Sequence, residues 1–339
     1  LASKPFFEEF EMNLRRKKSV SFRAVFLSVP FALSLFAASG CRPSRNFYVI
    51  EEIRVPALQV LQKVDTPPAD GHCFEYAGES VCQQYPLRPG KKYYLRMLAL
   101  APQGSQPAQL KFTRLQRAQL KTTLTRESSC ESVVDALRRQ QFVDVPLSSV
   151  GLDEAPMTAV VKQDSPMRVE EHSVSFTSPE RDALDGGFFS SGFLPLFRLE
   201  YTATSGALRE DKGAFTFSIV PEIQNSGFQD LPKCFAGALQ GTLSPVDNKP
   251  PVISQIAPAT GQQVDGASAP LEIKLSGNDT DADAKQRIQW YVSRGELENQ
   301  RAAATKLEFS GAEPLTAVGI VRDLQGGVDF AFTTFSRKP

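Results

Sequence analysis

"RIQWYVSRG", residues 287–295, alternates Ile288, Trp290 and Val292 with Gln289, Tyr291 and Ser293, and closes on a glycine. A period of two is the spacing of a half-buried strand. Trp290 is the only tryptophan in the chain, and the middle of such a strand is where a sandwich core takes its largest side chain. Near the C-terminus "GVDFAFTTFS" (327–336) repeats the pattern, with Val328, Phe330 and Phe332 on one face. The two apolar faces are expected to meet across one core.

Around these lie "PVISQIAP", "QQVDG", "PLEIKLSGND", "ATKLEFSG" and "LTAVGIVRDL", which bring the strands after residue 250 to seven, joined by Gly- or Asp-rich turns. The boundary before them is "SPVDNKPPVISQI" (244–256), because two successive prolines cannot sit inside a central strand and make a stiff linker. The C-terminal part should therefore fold independently, with Trp290 buried. Upstream, "YVIEEIRVPALQV" is the first strand, and "RPGKKYYLRMLALAP" enters a strand through a Pro-Gly turn. "SSCESVVDALRRQQF" places Val133, Val134 and Leu137 on a helical stripe, with Ser128 or Ser129 as N-cap. Strands resume at "MTAVVKQ", "HSVSFTS", "FLPLFRLEYTA" and "AFTFSIVP". The expected fold is mainly β: two β-sandwich domains in tandem at 47–240 and 252–339, joined by a Pro-rich linker at 241–251. The first carries one inserted helix near 129–142.

The "NKPPVI" start, "SGNDTDAD" before the tryptophan strand and the final "VRDLQGGVDF" hairpin resemble a bacterial immunoglobulin-like domain of the polycystic-kidney-disease-like and cadherin-like type. In that module Asp279, Asp281 and Asp283 are the metal candidates, since alternating carboxylates in a loop converge on a hard cation such as calcium. An EF-hand is excluded: counted from Asp279, Ala284 stands where the turn glycine belongs and Trp290 where the bidentate Glu belongs. The other reading is a solvated acidic turn.

At the other end, Met12 to Arg23 holds Arg15, Arg16, Lys17, Lys18 and Arg23 with no acid, and Ala24 to Gly40 holds no charge. That uncharged run falls short of the roughly 20 residues of a bilayer-crossing helix and reads as a secretory signal over residues 12–40. Its end, "ASGC" at 38–41, resembles the lipobox of bacterial lipoproteins. The resemblance implies that Cys41 becomes the first mature residue and carries the lipid, with 41–46 as the tether. Arg42, in place of the aspartate that retains enteric lipoproteins in the inner membrane, implies the outer membrane. Ahead of Met12, "LASKPFFEEFE" is acidic and does not belong before a signal, so translation is expected to start at Met12, with residues 1–11 a start-site artefact. The Arg15–Arg16 pair lacks the bulky residue of a twin-arginine motif, and ordinary unfolded export is expected.

Beyond Cys41 lie about 300 residues, enough for about two domains. A hydrophobic fraction of 41% with 22% charged residues suits globular cores, and a net charge of zero excludes the basic excess of a nucleic-acid binder. Cys73, Cys82, Cys130 and Cys234 make an even set, as an oxidising compartment favours. Three pairings are open; Cys73–Cys82 is favoured because the two flank "FEYAGESV", whose Gly78 can turn a hairpin, leaving Cys130 with Cys234. Zinc would need short Cys and His spacings that are absent.

No Walker loop, dinucleotide fingerprint or zinc-protease motif is present, and "GGFFSSGF" (186–193) lacks the spacing of a nucleophile elbow. His72 and His172 are the only histidines, form no metal pair and read as surface residues. The chain is therefore expected to be a lipid-anchored cell-envelope protein, without catalytic residues or cofactor other than the calcium candidate. It would display sandwich modules for binding, adhesion or envelope assembly, facing an envelope protein or polysaccharide. The alternative is a carbohydrate-active or hydrolytic enzyme whose site, a carboxylate pair, lies in residues 47–240.

Overall fold

The structure, a computed structural model, describes residues 48–338 except 66–72, 77, 84–86, 123, 125–126, 153–156, 180–192, 220–249, 277–285 and 324–326. Eighteen strands are described, in four sheets. The first sandwich takes β1 (Arg54–Lys63), β2 (Cys73–Tyr76), β3 (Glu79–Gln83), β4 (Lys92–Pro102), β5 (Gln109–Gln119), β6 (Gln141–Val145), β7 (Thr158–Gln163), β8 (Met167–Thr177), β9 (Phe193–Thr204) and β10 (Asp211–Ser218). One sheet runs β2-β3-β1-β4-β8-β7 and the other β10-β9-β5-β6. The second sandwich takes β11 (Ile253–Ala257), β12 (Gln263–Val264), β13 (Ser268–Leu275), β14 (Arg287–Val292), β15 (Glu296–Leu297), β16 (Ala304–Glu308), β17 (Leu315–Arg322) and β18 (Val328–Arg337). Its sheets run β11-β13-β16-β15 and β12-β18-β17-β14.

Both orders are those of an immunoglobulin-like sandwich, in which the first, second, fifth and fourth strands oppose the third, sixth and seventh. In the second sandwich β12 leaves the first strand's sheet and pairs in parallel with β18. The first sandwich repeats this with a single parallel bridge, Leu87 to Ile219. Two insertions decorate it. The β2–β3 hairpin, turning at Gly78 with φ of 79°, extends the sheet beyond β1, and the Cys73–Cys82 disulfide joins cross-strand partners. The helix α1 (Cys130–Arg138) is capped by Ser129, whose Oγ accepts from Ser132 N–H at 3.2 Å, and buries Val133 and Ala136 over Ala118, Leu120 and Leu124. It ends earlier than expected because Gln141–Val145 is taken up as β6, paired with β5.

In each sandwich a glycine lies opposite a large aromatic residue. Trp290 is paired with Gly319 on β17, and Tyr201 with Gly213 on β10. A Cβ at Gly319 would press on the Ile273 side chain and the indole, and one at Gly213 would lie 2.7 Å from Tyr201 ring carbons. The missing side chains are what let these rings lie flat over the neighbouring strand. Trp290 is fully buried, and its Nε1–H donates to Ala302 O at 2.9 Å, so its one polar atom is satisfied.

The two sandwiches do not hang as separate beads. A third apolar cluster, holding Ala57, Leu98, Leu100, Met167 and Val169 from the first and Tyr291, Val318, Ile320, Val328 and Phe330 from the second, lies between them. Val328, Phe330 and Phe332 were expected to face Trp290 across one core. They do share a face, but it is turned to the other sandwich, and Phe335 supplies β18's contribution to the Trp290 core. The inner sheets are therefore buried on both sides, and the molecule is a stack of four sheets. Contacts along β18 give the crossing angle: Val328 meets Gln59 of β1, Phe330 lies under Arg96 of β4, and Thr334 meets Gln163 of β7. One strand thus traverses the neighbouring sheet obliquely from β1 to β7: from Gln59 to Gln163 it crosses three strand spacings, about 14 Å, while advancing four residues, about 13 Å, along the strands.

The first described residues belong to the second sandwich. Val49 bridges Val292 in parallel, with Val292 N–H donating to Tyr48 O at 2.8 Å and Ile50 N–H donating to Val292 O at 3.0 Å. The chain then crosses to β1, so the first strand begins at Arg54 rather than Tyr48.

Candidate functional site

Strand β8 carries the run Arg168, Glu170, Glu171 and His172, and all four are buried. Alternation sends Glu170 and Glu171 to opposite faces of the sheet. Glu170 points into the first sandwich, where Oε2 accepts from Ala108 N–H at 3.0 Å and meets His172 Nε2 at 2.9 Å, while Oε1 accepts from Arg168 Nε. Arg168 also reaches Asp164 at 2.7 Å. Burial works to raise the Glu170 carboxyl, but the hydrogen bonds from His172, Arg168 and Ala108 outweigh it and hold the group below the usual carboxylate range. His172, expected at the surface, is thus a buried member of this cluster. The reason is that β8 is covered on both faces.

Glu171 points to the second sandwich. It accepts from Arg96 Nε at 3.1 Å and Nη2 at 2.5 Å, a bidentate pair, with Lys162 Nζ at 3.4 Å. Arg96 also donates to Gln59 Oε1 at 2.8 Å, and its guanidinium lies 4.5 Å from the centre of the Phe330 ring. Gln59 donates onward to Val328 O at 2.8 Å. Gln83 grips both backbone groups of Val328, donating to its carbonyl at 2.7 Å and accepting from its N–H at 3.2 Å. At the far side Gln163 donates to Thr316 Oγ1 and accepts from Thr334 Oγ1. Asp329 accepts from Ile253 N–H at 2.7 Å and Phe330 N–H at 2.9 Å, and burial pushes its carboxyl above the usual range. These groups spend their polarity on one another and on backbone. The arrangement fixes the register of two sandwiches.

At one end of the second sandwich an open groove of about 670 Å³ lies between Gly295, Lys306, Glu308 and Phe309, bridged by a Lys306–Glu308 ion pair at 2.9 Å. The large hydrophobic side chains exposed among the described residues are Val160 and Val161, on β7 at the edge of its sheet.

The residues singled out in the sequence fare unequally. Cys73 and Cys82 form the expected bridge. Cys130 lies exposed at the first turn of α1, and Cys234, the partner expected for it, lies outside the described residues. Cys41, His72, Asp279, Asp281 and Asp283 also lie outside them, as does most of the 241–251 linker. Among the described residues no cluster of three His, Cys, Asp or Glu side chains is placed to hold a metal. The Arg96–Glu171 and Arg168–Glu170–His172 clusters were missed. Arg96 was signalled by a charge inside the otherwise apolar run "YYLRMLALAP", whereas "MRVEEHSV" is polar at five of its eight residues and gave no sign of burial.

No protein-family model matches the chain, and no curated protein matches it. Among solved structures, the Ig1-2 module of the Drosophila receptor protein tyrosine phosphatase DLAR is 11% identical, with 75% of this chain and 93% of that one covered and a TM-score of 0.24. The fibronectin(III)-like modules of Clostridium thermocellum CbhA are 11% identical, covering 74% and 88%, with a TM-score of 0.23. The mouse nectin-like molecule 4 ectodomain, Ig1 to Ig3, is 10% identical, covering 85% and 96%, with a TM-score of 0.20.

Proposed function

We propose that this protein is a lipid-anchored cell-envelope protein that presents a double immunoglobulin-like sandwich for binding, adhesion or envelope assembly, facing an envelope protein or polysaccharide. The observation that carries this reading is the order of parts: a basic stretch, an uncharged run, "ASGC" ending at Cys41, and folded sandwich from Tyr48 onward. One acyl chain binds a membrane only marginally, whereas the two or three chains of a lipoprotein cysteine hold a protein stably. Arg42 after the cysteine supports the outer membrane. Among the described residues no helix is long and apolar enough to cross a membrane.

The test is the intact mass of membrane-extracted protein. It should begin at Cys41 with added acyl mass, and Cys41→Ser should release the protein from membranes or block processing. A soluble product beginning near Met12 would sink the proposal.

A further inference from the structure

Residues 42–47 are all that separate Cys41 from Tyr48, whose carbonyl is already bonded to Val292 at the end of β14. We infer that the β14 edge of the second sandwich faces the bilayer and that the α1 end of the first sandwich is the membrane-distal tip. This rests on the lipid-anchor reading, and the geometry follows from lengths. Seven residue steps, at about 3.5 Å each, reach no more than about 25 Å. Tyr48 therefore stays within roughly that distance of Cys41, and the exposed Glu51, three residues further on, within about 35 Å.

The tip follows from the strands. After Ile50 the chain enters the first sandwich at Arg54, which meets Asp211 at 3.7 Å; Asp211 in turn accepts from Val55 N–H at 2.9 Å and from Tyr201 Oη at 3.2 Å. Tyr201 is the ladder partner of Phe112 on β5. From Phe112 the strand climbs to Leu120, about 26 Å at the usual rise per residue, before reaching the cluster on which α1 packs. The helix thus sits at the opposite end of the sandwich from the point where the chain comes in. The surface that would receive the β14 edge is one of anionic lipid headgroups. The tether "RPSRNF" carries Arg42 and Arg45 and no acid, which suits such a surface.

The experiment uses the full mature chain in vesicles of phosphatidylethanolamine and phosphatidylglycerol that contain a headgroup-labelled acceptor lipid. One donor is placed on Glu51→Cys in a Cys130→Ser, Cys234→Ser background, the other on native Cys130 with Cys234→Ser. Energy transfer from position 51 should be at least twofold that from position 130. Inserting twenty Gly/Ser residues between Phe47 and Tyr48 should bring the two values together, since a flexible linker then sets the height. Equal or inverted transfer in the native chain overturns the orientation, as does a difference that survives the insertion. Intact mass of the same sample separates the two failures: acylated Cys41 with the wrong transfer pattern leaves the anchor standing, whereas unmodified Cys41 overturns the anchor and the orientation together.

Discussion

Trp290 has no exposed surface, lies flat against Gly319 and gives its one N–H to Ala302. Truncating it removes both the burial and the neighbours' packing partner, and large aromatic to Ala in a core costs about 3–5 kcal/mol. Trp290→Ala should lower the denaturation midpoint by that equivalent in urea, followed by circular dichroism. Gly319→Ala should cost about 1–3 kcal/mol through overpacking against Ile273 and the indole, and an unchanged midpoint would show that β17 yields freely. Glu170 sets a pH dependence. Its folded-state carboxyl is held below the unfolded value of about 4.3, so its contribution is present above that pH and fades as pH falls through the folded value. Glu170→Gln leaves buried Arg168 without its inner partner, which costs on the order of 3 kcal/mol at pH 7. The gap between the two proteins should narrow only as pH falls through the lowered folded-state value, below the usual carboxylate range, where the native carboxyl itself becomes neutral. A pH-independent gap would assign the loss to shape alone.

Among the elements, those with clean alternation were legible: all seven strands expected after residue 250 are present, and only the two-residue β15 was passed over. Strand β5 was missed for a physical reason. Register shifts between Phe112 and Arg114 and between Arg117 and Gln119 break its alternation, so Phe112, Leu115 and Ala118 stand three apart and match neither template. The helix was legible from its stripe and cap, but its C-terminal end was not, because β6 is held by pairing with β5 rather than by its own sequence. Strand β7 shows how an edge is guarded. Val160 and Val161 are each nearly half exposed at the sheet's end, a hazard for pairing with another chain, and the next residue is Lys162, at a register shift. Lys162→Val would lengthen the apolar run Ala159-Val160-Val161 by one more β-branched residue and remove its guarding charge. It should lower the concentration at which light scattering rises, while Lys162→Arg should leave it unchanged; equal behaviour of the two would remove Lys162 from that role.

For the whole molecule, the sequence held the sign of two-sided burial in the uninterrupted runs "MLALA" and "LTAVGIV", since a strand open to water on one face alternates and one covered on both does not. The tandem arrangement was legible; the face shared by the two sandwiches was not, because which apolar face meets which depends on contacts hundreds of residues apart, such as Gln59 to Val328. That face changes what the C-terminal part does alone. Cut free, residues 250–339 would expose Tyr291, Val318, Ile320, Val328 and Phe330, so the isolated part should associate or bind hydrophobic dyes rather than behave as a soluble domain. In the intact chain the shared face should couple the two halves. Burial of each large apolar side chain there contributes about 1.5–3 kcal/mol that is lost if either sandwich unfolds alone. The single tryptophan reports the second sandwich only, while far-ultraviolet circular dichroism reports both. The two signals should therefore fall together in the native protein. Phe330→Ala removes an apolar contact and the ring beneath Arg96 without touching the Trp290 core. In that variant the Trp290 transition should move below the dichroism midpoint and the two curves should separate. If they still coincide with an unchanged midpoint, the sandwiches are coupled through the chain and not through this face.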